Sequence, residues 1–143
     1  MKIKQISIFV ENKTGRLRHA LETLASANIN VRALSVADNE KAGIIRIIVD
    51  DTEKAKEVLT SSKFIIKETE VIVIEVPDEP NELNNILTIL EDNDINIEYI
   101  YALLSQKHAE AIIVMKINKP EEGLELLNKN NIRILKKEDI ENI

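Results

Sequence analysis

The chain has 143 residues, no cysteine and a formal net charge of −6 at pH 7. The absence of cysteine excludes disulfides, thiolate metal sites and thiol nucleophiles, and the acidic balance argues against general binding to nucleic acid. Apolar residues make up 44% of the chain, which is enough for a packed core. No apolar run approaches the roughly 18 residues of a membrane-spanning helix, and the start lacks the apolar core of a signal peptide. We therefore expect a cytoplasmic protein that does not contact membranes.

The first half of the chain predicts the order strand, helix, strand, strand, helix, strand. Apolar residues first alternate, as in a half-buried strand, and then recur on one helical face. Thr14 is a candidate cap of the first helix, and Asp50 or Asp51 of the second. The predicted strands cover residues 3–10, 31–37, 43–49 and 64–68.

The second half predicts the same order. Its strands are expected over residues 71–76, 97–103, 111–117 and 132–135, and its first helix over 82–93. Asn118 is a candidate cap of the second helix, because Pro120 suits the first helical turn. The charged residues 136–143 are expected to fray.

The two halves repeat one apolar pattern. An offset of 66 residues places Ile6 on Ile72 and Leu24 on Leu90, and an offset of 68 places Ile44 on Ile112. We therefore expect two domains, 1–69 and 70–143, joined by the short segment 67–70, which is not a flexible linker. Their element order is that of the ferredoxin-like βαββαβ unit. The predicted fold class is α+β, with antiparallel sheets, helices on one face, and the two units paired side by side.

The loops before the first helix of each half carry a resemblance to a known family. Residues 10–17 and 27–38 resemble the ACT domain, which has an Asn-x-Pro-Gly-x-Leu loop and an Ile-Asn-Ile start to its second strand. Residues 75–83 and 94–99 resemble a second ACT domain. The resemblance covers essentially the whole chain and is to free-standing tandem ACT proteins. Thr14 stands where the family favours proline, and Asn81 where it favours glycine.

The resemblance implies a non-catalytic regulatory protein that binds a free amino acid at an interface between ACT units. It further implies control of amino-acid metabolism or of a partner protein such as a metabolic enzyme, and we expect a homodimer. No cofactor is implied. The ligand contacts expected from the first loop and the start of the second strand are Asn12, Lys13, Thr14, Gly15, Arg16, Leu17, Asn30 and Val31 in the first copy and Asp78, Glu79, Pro80, Asn81, Leu83 and Asn96 in the second.

The loop at Gly15 suits an amino acid for a physical reason. A helix N-terminus offers N–H groups and a positive dipole end to a carboxylate, and glycine allows the ligand to approach the backbone. Lys13 and Arg16 add positive charge, and Asn12 and Asn30 offer amides that donate and accept. The alternative is structural: a turn glycine, a helix cap and a solvated charged surface.

The corresponding loop of the second half is acidic, with Asp78, Glu79 and Glu82. Acidic residues in a first helical turn ordinarily complement the helix dipole. The sharper hypothesis is a composite site, in which the first copy receives the carboxylate of the ligand and the second copy receives its ammonium group.

The remaining signals concern interfaces and catalysis. Tyr99 and Tyr101 share one face of a strand and are predicted to lie at an interface, with ligand stacking as the alternative. His19 and His108 have no partners at metal-ligand spacing, so we predict no metal, and no catalytic motif is visible. The other function classes are a protein-interaction subunit without a ligand, an RNA-binding domain and an enzyme on this fold.

Overall fold

The structure is a computed structural model that describes residues 2–39, 41–104 and 110–141. His108, for which the sequence predicts no metal-binding role, lies outside the described residues. The described part of the chain contains seven strands and five helices. They are β1 (Ile3–Glu11), α1 (Arg16–Ser26), β2 (Val31–Asp38), β3 (Ala42–Val49), α2 (Thr52–Ser61), β4 (Ile65–Pro77), α3 (Glu82–Asp92), β5 (Ile97–Leu104), β6 (Glu110–Ile117), α4 (Pro120–Lys129), β7 (Arg133–Ile134) and α5 (Lys137–Glu141). None of the described helices is long and apolar enough to cross a membrane.

Contacts divide the chain into two compact units. The first unit is Lys4–Thr69, and the second is Glu70–Ile143 together with Met1–Ile3. The expected domain ranges, 1–69 and 70–143, stay a prediction.

The first unit has the strand order β2-β3-β1-β4. Strand β3 runs antiparallel to β1 and to β2. Both helices of the unit cover the same face of the sheet, because their buried side chains share one core with alternate residues of the strands. That core contains Ile6, Ile8, Ala20, Leu24, Ile29, Ile45, Ile47, Val49, Ala55 and Leu59.

The second unit repeats this arrangement with the order β5-β6-β4 and with β7 paired to β4. Its strand pairs are antiparallel, and its core is built from the equivalent residues. They include Ile72, Ile74, Ile86, Leu90, Ile113, Met115, Ile117 and Leu127. The α+β class, the antiparallel sheets and the helices on one face are therefore confirmed for each unit.

Strand β4 differs from the prediction. The sequence predicted two strands joined by residues 67–70, whereas β4 runs for 13 residues from Ile65 to Pro77 without a break. Neither glycine nor proline occurs between Ile65 and Val76, so no residue interrupts the extended backbone. The boundary between the units, at Thr69 and Glu70, falls inside this strand.

The C-terminal segment also differs from the prediction. Residues 137–141 form α5 instead of fraying. The side chain of Asp139 accepts a hydrogen bond from the backbone N–H of Lys136 at 2.8 Å, and Ile140 is only 4% exposed. One capping hydrogen bond and one buried apolar side chain therefore order this segment, although its many charged residues suggested fraying.

The helix caps are predicted correctly at one of three positions. Asp51 caps α2, since its carboxylate accepts a hydrogen bond from the N–H of Lys54 at 3.1 Å. Thr14 and Asn118 are not caps. The N-cap positions of α1 and α4 are occupied by Gly15 and Lys119, and neither residue makes a side-chain cap bond.

The C-termini of four helices end alike. A residue in the left-handed conformation follows each of α1, α2, α3 and α4, at Asn28, Lys63, Asp94 and Asn131. The next residue donates its N–H back into the last helical turn, as Phe64 does to Leu59 at 3.0 Å. This closure places an apolar residue under each helix end. Lysine is the least suited of the four side chains to a left-handed backbone.

Candidate functional site

The loop between β1 and α1 of the first unit is built around Gly15. Gly15 precedes the first helical residue with φ of 90° and ψ of −7°, and its carbonyl accepts the N–H of His19 at 2.9 Å. A Cβ atom added there would meet nothing within 4 Å. The backbone conformation therefore favours glycine, and the space beside it is open.

Charged side chains surround this loop. The ammonium of Lys13 lies 2.9 Å from the carboxylate of Glu11. The hydrogen bond from Lys13, the charge of Lys13 and the charge of Arg16 all lower the pKa of Glu11. Glu11 is therefore an anion at neutral pH, at the point where β1 ends.

The side chain of Asn12 connects the loop to the turn between β2 and β3. Its amide nitrogen donates to the carbonyl oxygen of Asn39 at 3.0 Å. The side-chain oxygen of Asn39 in turn accepts the N–H groups of Lys41 and Ala42, at 3.0 and 2.9 Å. Part of the hydrogen-bonding capacity that we expected Asn12 to offer a ligand thus holds the turn instead.

A cavity of about 490 Å³ lies beside the loop, within the first unit. Its charged lining comprises Glu11, Arg16, Lys41 and Lys63, and its other lining residues are Phe9, Val10, His19, Ala42, Ser62, Phe64 and Ile65. The ring of His19 lies 5.1 Å from that of Phe64, centroid to centroid. Of the expected first-copy contacts, only Arg16 lines the cavity.

Sequence reasoning missed Lys41, Lys63 and Phe64, because they are far from Gly15 along the chain. The signal that could have found them is topological. In an antiparallel sheet of this order, the β2–β3 turn and the residues after α2 lie at the end of the sheet where β1 ends.

The remaining expected first-copy contacts fall into two groups. Asn12, Lys13, Thr14, Gly15 and Leu17 belong to the β1–α1 loop and the start of α1, whereas Asn30 and Val31 lie at the opposite end of the sheet. Glu11 pairs with Ala42 and Val31 pairs with Val49, so the loop and the start of β2 flank opposite ends of β3. Seven residue steps at about 3.3 Å each separate those ends by roughly 23 Å. Within one unit, a single amino acid therefore cannot touch both Arg16 and Val31.

Asn30, beside Val31, takes part in a pair of backbone bonds that recurs in both units. The N–H of Asn30 donates to the carboxylate of Asp50 at 3.0 Å, and the N–H of Asp50 donates to the carbonyl of Asn30 at 3.1 Å. Asn96 and Asn118 make the same two bonds, at 2.9 and 3.1 Å. This explains why Asn118 is not a helix cap: its side-chain oxygen already accepts from Asn96.

The equivalent loop of the second unit has the same backbone conformation. Asn81 precedes α3 with φ of 71° and accepts the N–H of Asn85 at 2.8 Å. Asparagine therefore adopts the left-handed conformation that glycine adopts in the first unit. The expected contacts Asp78, Glu79, Pro80 and Asn81 are exposed, as is Asn96, whereas Leu83 is half-buried against the core.

The two tyrosines lie on β5 and are half-buried. Tyr99 pairs with Lys116 and Tyr101 with Val114, and Ile100 between them is 39% exposed. Their interface role stays a prediction. Among the described residues, no group of three or more His, Asp or Glu side chains is arranged to hold a metal ion.

Comparison with known proteins decides the family. A family profile described as an ACT domain pair matches residues 1–143. The chain belongs to the ACT domain pair family. The sequence resemblance to tandem ACT proteins is thus confirmed, and each unit is an ACT unit. This family is a regulatory domain type, and no catalytic family is indicated.

Solved structures support the same assignment. A protein from Bacteroides thetaiotaomicron is 35% identical with a TM-score of 0.93, over 100% of this chain and 98% of the other. The ligand-free regulatory subunit of aspartate kinase from Thermus thermophilus is 14% identical with a TM-score of 0.62, over 88% and 90% of the two chains. This second likeness shows a shared fold alone. No relative was found among curated protein sequences.

Proposed function

We propose that this chain is a cytoplasmic, non-catalytic sensor that binds a free amino acid at the β1–α1 loop of the first ACT unit. Binding then regulates amino-acid metabolism or a partner protein. One observation carries the proposal: open space beside the left-handed Gly15, at a helix N-terminus and next to a cavity lined by Arg16.

The chemistry of this loop favours a carboxylate. The first N–H groups of α1 have no partners within the helix, and the helix dipole makes that end positive. Because Gly15 carries no side chain, an oxygen can approach those groups closely. Arg16 adds a planar guanidinium that pairs with a carboxylate.

The place of the second-strand contacts supports a site shared between ACT units. Arg16 and Val31 are too far apart within one unit to hold the same amino acid. A ligand that contacts both the β1–α1 loop and the start of a second strand therefore needs that strand from another ACT unit, such as one in a second copy of the chain. This favours the expected homodimer, with the ligand at an ACT–ACT interface.

A thermal-shift screen of the standard amino acids on the full chain tests the proposal. At least one amino acid should raise the melting temperature, since a ligand that binds only the native state stabilises it. Arg16→Glu should abolish that shift. Arg18→Glu is the matched control: it makes the same charge change on an exposed side chain that does not line the cavity. If no amino acid shifts the melting temperature, there is no such sensor site.

A protein-interaction subunit without a ligand is the second candidate. The observation that favours it is on β2, where Leu34 is 43% exposed and Val36 is 52% exposed. In this case a partner should stay bound in a pull-down when Asn12, Gly15 and Asn30 are replaced. It should be released when Leu34 and Val36 are replaced by serine.

A further inference from the structure

We infer that the ligand of the first ACT unit is an acidic amino acid, with two carboxylates and one ammonium group. This inference rests on the proposed function and names the class of ligand for that same site. It starts from the charges that line the cavity beside the β1–α1 loop.

Three cations, Arg16, Lys41 and Lys63, line the cavity. No carboxylate lies within 4 Å of the charged groups of Arg16, Lys41 or Lys63 among the described residues, whereas Lys13, outside the cavity, holds Glu11 at 2.9 Å. The lining thus carries three positive charges and one negative charge. Lys41 and Lys63 are exposed and Arg16 is half-buried, so all three charges are accessible to an anion from solution.

Glu11 supplies the complementary anion. Its pKa is lowered by Lys13 and by the charge of Arg16, so it stays ionised at neutral pH. It lines the same cavity as Arg16. A carboxylate in this place accepts hydrogen bonds from the ammonium group of a ligand.

Counting charges selects among the amino acids. A neutral side chain provides one carboxylate and leaves two of the three cations unmatched. A basic side chain adds a further positive charge to a positive lining. An acidic amino acid provides one carboxylate for Arg16, a second for Lys41 and Lys63, and an ammonium group for Glu11.

The size and walls of the cavity suit this ligand. Its volume of about 490 Å³ lies within the range of small-molecule sites, roughly 300–1,000 Å³. Phe9, Phe64 and Ile65 supply apolar surface for the carbon atoms of the ligand.

The second unit lacks these charges at the equivalent positions. Glu82 stands where the first unit has Arg16, and Asn131 stands where it has Lys63. Pro77 replaces Glu11. We therefore expect one acidic amino acid per chain.

Isothermal titration calorimetry on the full chain tests this inference with isosteric pairs. Aspartate should bind at least about tenfold more tightly than asparagine, or glutamate than glutamine, as expected for one additional charged hydrogen bond. The stoichiometry should be one per chain. Succinate, which has both carboxylates but no ammonium group, should bind more weakly than aspartate.

Two double variants assign the preference to the cavity. Lys41→Gln with Lys63→Gln should remove the preference for the acid over the amide. The control, Lys54→Gln with Lys67→Gln, removes two exposed lysines of the same unit that do not line the cavity, and should keep the preference.

Each contrary result has a distinct meaning. Equal or tighter binding of the amide overturns the inference but leaves the proposed sensor intact. A preference that survives loss of Lys41 and Lys63 overturns the assignment to this cavity. Succinate binding as tightly as aspartate overturns the role of Glu11. If no amino acid binds, both the sensor and its ligand class are refuted.

Discussion

Replacing Gly15 by alanine isolates the backbone conformation on which the loop depends. Because an added Cβ meets nothing within 4 Å, the substitution introduces no clash, and its cost is conformational. An L-residue in the left-handed region costs about 1.5 kcal/mol, and the lower entropy of the unfolded alanine variant offsets about 0.5 kcal/mol of this. We expect the free energy of unfolding to fall by about 1 kcal/mol.

Asparagine provides the matched comparison, since Asn81 already occupies the equivalent position with φ of 71°. Gly15→Asn should cost less stability than Gly15→Ala, because asparagine tolerates this conformation better. Asn81→Gly should be neutral or slightly stabilising. Urea unfolding followed by circular dichroism measures all three variants.

The binding arm of the same experiment separates stability from function. Both Gly15 variants place a side chain in the open space beside the helix N-terminus, so both should weaken amino-acid binding even where stability is kept. An alanine variant as stable as the wild type would show that Gly15 does not need a positive φ. An asparagine variant with unchanged affinity would show that the ligand does not approach the backbone there.

Three further predictions concern other contacts of the first unit. Asp50→Ala removes the carboxylate that accepts the N–H of Asn30. The free energy of unfolding, measured with urea, should fall by about 1 kcal/mol. An unchanged free energy of unfolding would mean that water fully replaces this hydrogen bond. Lys13→Ala should raise the pKa of Glu11 towards its ordinary value in an NMR titration, because Lys13 contributes most to lowering that pKa. The stabilisation that this pair gives the folded state is present at neutral pH and is lost as the pH falls through the lowered pKa. An unchanged pKa would contradict the pairing. Lys63→Gly relieves a left-handed lysine with φ of 68° and should raise the melting temperature while weakening acidic amino-acid binding; a lower melting temperature would refute the strain at Lys63.

The fold was predictable because each strand and helix has a local pattern of apolar residues. Alternating apolar residues such as Ile6 and Ile8 mark strands, and the helical spacing of Ala20 and Leu24 marks α1. The repeat then supports each assignment twice. The prediction of two strands in place of β4 was wrong. The boundary between the repeats suggested a connecting loop, whereas the extended backbone continues across it.

The site was predictable only where it is contiguous in sequence. The β1–α1 loop around Gly15 carries a family motif, and its left-handed residue follows from the glycine. Lys41 and Lys63 reach the cavity through the turn after β2 and the end of α2, and no local pattern connects them to Arg16. Asn118 was misassigned because a cap and a bridge to Asn96 use the same side-chain oxygen.

The uninterrupted strand β4 has a consequence for how this molecule can be taken apart. Tandem modules are usually released from each other by proteases that cut an exposed connector. Here the point of division, between Thr69 and Glu70, lies within an extended segment that is part of a sheet. Limited digestion should therefore spare the junction and nick surface loops first, and dissection into separately expressed halves must sever a strand.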